Sequence, residues 1–163
     1  MPGYAKLTTI ALLAGLALAG CAKNQQLPQN AAALGLTGAN GAAPGSAQDF
    51  TLNVGDRIFF ETDSTNLRPD AVETLNRQAA WLQRYPNRAI TVEGHADERG
   101  TRAYNLSLSA RRATVARDYL ASRGVPAQQM RTVPYGKERP VAVCNDISCW
   151  SQNRRAVTVV AGT

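Results

Sequence analysis

The chain has 163 residues, of which 44% are hydrophobic and 18% are charged, which is enough for one ordinary globular domain with its own core. Its formal net charge is +6, but the basic residues are dispersed and form no run of five or more. A nucleic-acid-binding protein usually concentrates basic side chains on one stripe with aromatic residues between them, so no nucleic-acid partner is expected.

Residues 1–20 have the layout of a secretory signal peptide. Lys6 is their only charged side chain, and an apolar stretch then runs from residue 7 to residue 19. That stretch is too short for a membrane-spanning helix, which needs roughly 20 apolar residues. A positive start, an apolar middle and small residues at the end predict export of the chain.

The signal ends in Leu-Ala-Gly-Cys, with the cysteine at position 21. This stretch resembles the lipobox of bacterial lipoproteins, which implies that Cys21 is lipidated and becomes the mature N-terminus. The residue that follows is Ala22 rather than aspartate, which by the same resemblance implies an outer-membrane anchor with the domain facing the periplasm. The alternative is an ordinary signal peptide followed by a coincidental cysteine.

Residues 22–49 consist mainly of Ala, Gly, Gln, Asn and Pro, with Lys23 and Asp49 as the only charged residues. Such a composition buries too little apolar surface to fold alone. We therefore predict a lipidated cysteine and flexible tether over residues 21–49, which extends to at most about 95 Å. The folded domain is expected at residues 50–163.

Hydrophobic periodicity and the positions of Pro, Gly and capping residues predict six elements of secondary structure in the domain. The predicted strands are 57–60, 89–93, 131–135 and 155–160, and the predicted helices are 68–85 and about 105–123. The order β-α-β-α-β-β indicates an α+β fold with two layers, a small mixed four-stranded sheet with both helices packed on one face.

A charged loop follows the second predicted strand. The segment EGHADERGTRAYN, residues 93–105, contains five charged residues and the only histidine of the chain. A strand-to-helix connection needs little more than a glycine and a capping residue. The surplus of charge favours a binding site in this loop.

The stretch from residue 92 to 120, with the later YGKERP and NRRAV segments, resembles the OmpA-like peptidoglycan-binding domain over roughly residues 52–160. Within that family it is most similar to the peptidoglycan-associated lipoproteins. The residues that match the family's helix pattern, N-x2-LS-x2-RA, are Asn105, Leu108, Ser109, Arg112 and Ala113. Ala116 stands where the longer form of the pattern has valine, a departure that concerns packing.

The resemblance implies a ligand and its contacts. The family ligand is meso-diaminopimelate of the peptidoglycan stem, whose side-chain end carries an ammonium and a carboxylate on one carbon. By resemblance, Asp97 binds the ammonium and Arg112 binds the carboxylate through its planar guanidinium. Asn105, on the same helix face as Arg112, adds a hydrogen bond, and Asp63 contacts the ligand partly through its backbone.

The resemblance also implies partners, which are peptidoglycan, outer-membrane lipid through acylated Cys21, and the periplasmic protein TolB with possible coupling to TolA. The implied role is a link between outer membrane and cell wall that supports envelope integrity and cell division. No cofactor is expected.

Two other interpretations of the charged loop are open. Asp97 could cap backbone donors and Arg112 could be a surface arginine, in which case the domain would serve mainly for protein docking. A hydrolase could be drawn with His95, Asp97 and neighbouring glutamates around a metal. A hydrolytic zinc site commonly needs two histidines, however, and no activated serine or cysteine is evident, so neither a metal site nor an enzyme is expected. We expect His95 to form structural hydrogen bonds.

Two cysteines remain once Cys21 is assigned to lipid. Cys144 and Cys149 lie five residues apart in an exported chain, where oxidation is expected. We predict a disulfide between them in the loop before the last strand. The alternative is a pair of buried thiols.

Overall fold

The computed structural model of the protein describes residues 42–162. The predicted signal peptide, Cys21 with its lipid, and the tether up to residue 41 lie outside the described residues. Within residues 42–162, no helix combines the length and the apolar character needed to cross a membrane.

Residues 42–162 contain four α-helices and four strands. They are, in chain order, α1 Ala47–Asp49, β1 Arg57–Phe59, α2 Pro69–Arg84, β2 Ile90–Gly94, α3 Arg102–Ser122, β3 Met130–Pro134, α4 Ile147–Asn153 and β4 Arg155–Val160. Helix α1 continues into a π-helical turn, Phe50–Val54, and a 3-10 turn, Ala127–Gln129, precedes β3.

The strands form one mixed sheet in the order β1-β4-β2-β3. Strand β2 is parallel to β3, while β4 is antiparallel to both of its neighbours, β1 and β2. The four-stranded mixed sheet predicted from the sequence is therefore confirmed, and its strand order is a result of the structure.

Helices α2 and α3 cover one face of this sheet. Ile90 and Val92 of β2 alternate with half-buried neighbours and pack into the same core as Leu75 of α2 and Leu120 of α3. Alternating burial along a strand is typical of a sheet covered on a single face. The predicted two-layer α+β architecture is confirmed.

Helix α3 lies unusually close to the end of β2. A β-carbon built on Gly94 would lie 1.9 Å from the carbonyl oxygen of Ser109 and 3.2 Å from the side chain of Ala113. Only glycine permits this approach of strand and helix backbones. It sets the helix directly beside the part of the charged segment that follows β2.

The folded region begins earlier than predicted. The carboxylate of Asp49 accepts hydrogen bonds from the Trp81 indole at 2.8 Å and from the Gly45 amide at 2.9 Å, and Phe50 is buried against Trp81. Residues 42–49 therefore belong to the domain, and the predicted boundary at residue 50 is wrong. The cause is a short turn capped by Ser46 whose tertiary contacts leave no trace in composition.

Two further predictions about elements need correction. Helix α3 begins at Arg102 instead of Asn105, because the Thr101 side chain accepts a hydrogen bond from the Tyr104 amide and caps the helix. The segment before the last strand, expected as a loop, contains helix α4. Asp146 caps that helix by accepting from the Ser148 amide at 2.7 Å.

Candidate functional site

The four side chains predicted to bind ligand line one pocket. It lies where the loop after β1, the loop after β2 and the first turns of α3 meet, and its volume is about 270 Å³. Asp63 comes from the first loop, Asp97 from the second, and Asn105 and Arg112 from the helix. The tertiary structure thus brings together residues that are up to 49 positions apart in the sequence.

Arg112 is the most deeply buried of the four, with no measurable exposure of the residue to solvent. Its guanidinium donates to three backbone carbonyls, those of Ser64 at 3.0 Å, His95 at 2.9 Å and Glu61 at 3.1 Å. These bonds tie the two loops that line the pocket to helix α3. Three of the five guanidinium N–H groups are used in this way.

The charge of Arg112 persists in this setting. Burial lowers the pKa of its guanidinium to about 10, while the nearby charge of Asp97 acts in the opposite direction. The side chain therefore remains a cation at neutral pH. The interpretation of Arg112 as a solvated surface arginine is wrong.

Asp97 is nearly buried and ionised. Burial by itself raises the pKa of its carboxyl group, but hydrogen bonds from the side chain and backbone of Arg99, with a contribution from Arg154, outweigh burial and hold the pKa below its usual range. The pocket thus contains a carboxylate and a guanidinium from different elements. This arrangement can bind a group that carries both an ammonium and a carboxylate.

Asp63 and Asn105 complete the pocket. Asp63 has a positive φ of 54°, a conformation that few residues other than glycine adopt, and its carboxylate accepts a hydrogen bond from the hydroxyl of Tyr104. That bond raises the pKa of the Tyr104 hydroxyl. Asn105 is buried and donates to the carbonyl of Arg99 at 2.7 Å, so it holds the loop while facing the pocket.

Sequence reasoning missed three contributors to the site. Arg99 and Tyr104 line the pocket, and the buried Arg154 lies at 3.4 Å from the Asp97 carboxylate. Arg99 and Tyr104 fall within the charged loop and could have been found by asking which of its side chains reach back to Asp97. Arg154 comes from 57 residues further along the chain, within the NRRAV segment of the family resemblance, but its local sequence does not indicate that it reaches Asp97.

His95 does not behave as expected. The ring is 2% exposed and stacks on Tyr135 at 5.4 Å between centroids, but neither ring nitrogen has a hydrogen-bond partner among the described residues. Its Nε2 lies 3.6 Å from the carboxylate of Glu93, beyond hydrogen-bond distance. The prediction of a hydrogen-bonding side chain is wrong, and it is the backbone carbonyl of His95 that serves the site by accepting from Arg112.

Cys144 and Cys149 form a disulfide in the structure, with their Cα atoms 5.7 Å apart. The bond joins the loop before helix α4 to the first turn of that helix. Trp150, the next residue, lies under the guanidinium of Arg99 at 4.1 Å. Within residues 42–162, no group of three or more histidine, cysteine or acidic side chains is arranged to hold a metal ion.

Comparison with known proteins identifies the family. The model of the OmpA family matches residues 59–154. A peptidoglycan-associated lipoprotein of Agrobacterium fabrum is 70% identical over 153 residues, which cover 94% of this chain and 86% of the relative. The chain belongs to the peptidoglycan-associated lipoproteins of the OmpA family. A peptidoglycan-associated lipoprotein of Brucella abortus is 66% identical over the same share of this chain and 90% of its own length.

Solved structures agree with this assignment. The crystal structure of the peptidoglycan-associated lipoprotein from Burkholderia pseudomallei superimposes with a TM-score of 0.67 at 36% identity, covering 71% of this chain and 100% of that chain. The C-terminal domain of MotB from Helicobacter pylori has the same fold, with a TM-score of 0.62 at 24% identity over 66% of this chain and 85% of that domain.

Membership in this family determines the general role of the chain. It is a peptidoglycan-associated lipoprotein of the cell envelope and not an enzyme. The OmpA-like fold expected from the sequence is confirmed by the same comparisons.

Proposed function

We propose that the pocket binds the diaminopimelate of the peptidoglycan stem without a covalent bond. The observation that carries the proposal is the joint lining of one pocket by Asp97, an ionised carboxylate, and Arg112, a buried guanidinium. Diaminopimelate presents an ammonium and a carboxylate on a single carbon, and these charges complement the two side chains. Asp63 and Asn105, which line the same pocket, are proposed to add polar contacts.

The proposal is tested by retention of the protein on purified sacculi with and without competing free diaminopimelate. Asp97→Asn removes the charge that faces the ammonium while keeping the shape of the side chain. Its binding is expected to fall at least about tenfold, which corresponds to 1.4 kcal/mol. Asp118→Asn is a matched control, because Asp118 lies on the exposed side of α3 and pairs with Arg117. Equal retention of the parent and Asp97→Asn proteins would contradict the proposal.

We further propose that the domain is anchored in the outer membrane by lipid on Cys21 and faces the periplasm, with residues 1–20 removed as a signal peptide. The lipobox-like sequence and Ala22 support this location. Residues 22–41 then serve as the tether, shorter than the sequence alone suggested. Cys21→Ser is expected to release a soluble or uncleaved form. If this variant still fractionates with outer membranes after digestion of the wall, another anchor holds it.

Docking of TolB, and through it TolA, in a Tol-Pal system for envelope constriction at division is the second proposed role. It is supported by exposed apolar side chains beside a groove of about 370 Å³ near the disulfide. Val143 is 89% exposed and Ile147 is 61% exposed. Val143→Asp is expected to weaken binding to purified TolB while leaving retention on sacculi unchanged. Unaltered TolB affinity in this variant would exclude this face as the docking surface.

A further inference from the structure

The Asp97 carboxylate is fully occupied by groups of its own chain. Its Oδ1 atom accepts from the Arg99 amide at 3.2 Å and from the Arg99 Nε at 3.1 Å. Its Oδ2 atom accepts from the Arg99 Nη2 at 2.7 Å and from the Arg154 Nη1 at 3.4 Å. A carboxylate offers about four acceptor directions, and all four are used here. An ammonium group can therefore bind Asp97 only by replacing one of these donors.

The Arg99 side chain is the donor that can leave. The Arg154 side chain is only 5% exposed and is held by a second bond, from its Nε to the carbonyl of Phe60 at 3.0 Å. The Arg99 amide is part of the loop backbone. The Arg99 side chain, by contrast, is 40% exposed and lines the pocket.

A second contact lowers the free-energy cost of separating the Arg99 side chain from Asp97. Its guanidinium lies over the indole ring of Trp150 at 4.1 Å, a cation–π contact that does not depend on Asp97. The hydroxyl of Thr62 lies 3.5 Å from the Arg99 Nη2. The guanidinium thus keeps partners when it releases the carboxylate.

We propose that Arg99 is a resident cation in the ammonium subsite and that ligands bind by exchanging their own positive charge for it. The inference deepens the proposed function and rests on it. Arg99 then opposes binding and sets its selectivity. A stem side chain that ends in a neutral group cannot form an ion pair with Asp97. An ammonium group can, and it replaces the ion pair that is lost when Arg99 leaves.

The test compares Arg99→Gln with a matched control, Arg102→Gln, in the full mature chain. Both substitutions remove one positive charge, but the Arg102 side chain is 80% exposed, pairs with Glu138 and does not line the pocket. Titration calorimetry with free meso-diaminopimelate measures affinity. Arg99→Gln is expected to bind roughly fivefold more tightly than the parent, the size of a partly exposed ion pair.

The control and a conservative variant test whether the change in affinity is specific to the Arg99 side chain. Arg102→Gln is expected to bind like the parent. Arg99→Lys keeps a competing cation but loses the bidentate contact with Asp97. Its affinity for diaminopimelate is therefore expected to lie between those of the parent and Arg99→Gln. A graded increase in affinity of this kind does not arise from a merely structural role of Arg99.

The outcomes separate this inference from the proposed function. Weaker or unchanged binding by Arg99→Gln, with normal binding by the parent, overturns the resident-cation role and leaves diaminopimelate as the ligand. Absence of binding by the parent itself overturns both. Tighter binding by Arg102→Gln to the same degree as Arg99→Gln also overturns the inference, because the effect would then be one of net charge.

Discussion

The Nη1 atom of Arg112 donates to the carbonyl oxygen of His95 at 2.9 Å, so a side chain of helix α3 fastens the start of the loop that carries Asp97. The same guanidinium holds the carbonyls of Glu61 and Ser64 in the other loop that lines the pocket. The stability of the pocket therefore depends on one buried cation, which is also the proposed binding group for the ligand carboxylate.

Arg112→Ala is expected to destabilise the domain as well as abolish ligand binding. Three backbone carbonyls, one buried and two partly buried, would lose a charged donor, and the free energy of unfolding should fall by about 3 kcal/mol. Urea unfolding followed by circular dichroism measures this change. The neighbouring Arg111→Ala serves as control, since Arg111 is exposed and its side chain bonds the Ser107 hydroxyl on its own helix, and it should change stability by less than about 0.5 kcal/mol. Equal stability of the two variants would contradict the structural role.

Gly94→Ala is expected to disturb the contact between strand β2 and helix α3. The new methyl group would lie 1.9 Å from the Ser109 carbonyl, so the backbone must shift. Overpacking of this kind costs roughly 1–3 kcal/mol, and the shift should also weaken ligand binding because α3 carries Asn105. Gly162→Ala, which meets nothing within 4 Å, is the matched control. The melting temperatures of both variants measure this destabilisation. A melting temperature of Gly94→Ala equal to that of the parent protein would contradict the close approach of strand β2 and helix α3.

His95 should make stability depend on pH. Burial, followed by the charges of Arg155 and Arg139, lowers its pKa in the folded state from 6.5 to about 4. As pH falls through this window the unfolded chain takes up a proton that the folded chain does not, so stability is lost on acidification. The loss should be roughly 2 kcal/mol between about pH 7 and pH 4.5.

The protonation of His95 can be followed separately from that of the carboxylates, because His95 is the only histidine in the chain. Its ring signals should titrate near pH 4 in NMR spectra of the folded protein. His95→Phe keeps a ring against Tyr135 but removes the titration, so its stability should vary much less over the same pH range. A histidine midpoint near 6.5 in the folded protein would show that the ring is hydrated.

The disulfide between Cys144 and Cys149 should be detectable by mass. In denaturant without reductant, neither of these cysteines should react with an alkylating agent, and both should react after reduction. Closing so short a loop stabilises by roughly 2 kcal/mol in the chain-entropy model, and Cys144→Ser with Cys149→Ser should lose about that amount. Two alkylated thiols in the unreduced protein would contradict the bond.

Asn105→Ala should have a smaller effect on sacculus binding than Asp97→Asn. It removes a neutral hydrogen bond to the Arg99 carbonyl, worth about 0.5–1.5 kcal/mol. Retention on sacculi at increasing concentrations of free diaminopimelate ranks the two variants. If Asn105→Ala lost more sacculus binding than Asp97→Asn, the main contribution to binding would come from the Asn105 amide and not from the charge pair.

The sequence by itself determined the main elements of the domain. The strands and the two long helices follow from apolar periodicity and from Pro, Gly and capping residues, which act over a few positions. The four pocket residues came from matching a family motif, and the cysteine pair came from the count of thiols in an exported chain.

Only the tertiary structure decided how these parts meet. The bonds of Arg112 reach residues 17 to 51 positions away, and Arg154 reaches Asp97 across 57 positions. The docking of residues 42–49 against Trp81 and the lack of a hydrogen bond from the His95 ring to any of residues 42–162 arise in the same way. Contacts of this kind depend on how helices pack on the sheet, and local patterns of sequence do not encode them. The ion pair between Arg99 and Asp97 is a local contact. Its consequence for ligand binding depends on the solvent exposure of the Arg99 and Arg154 side chains, and that exposure is set by tertiary packing.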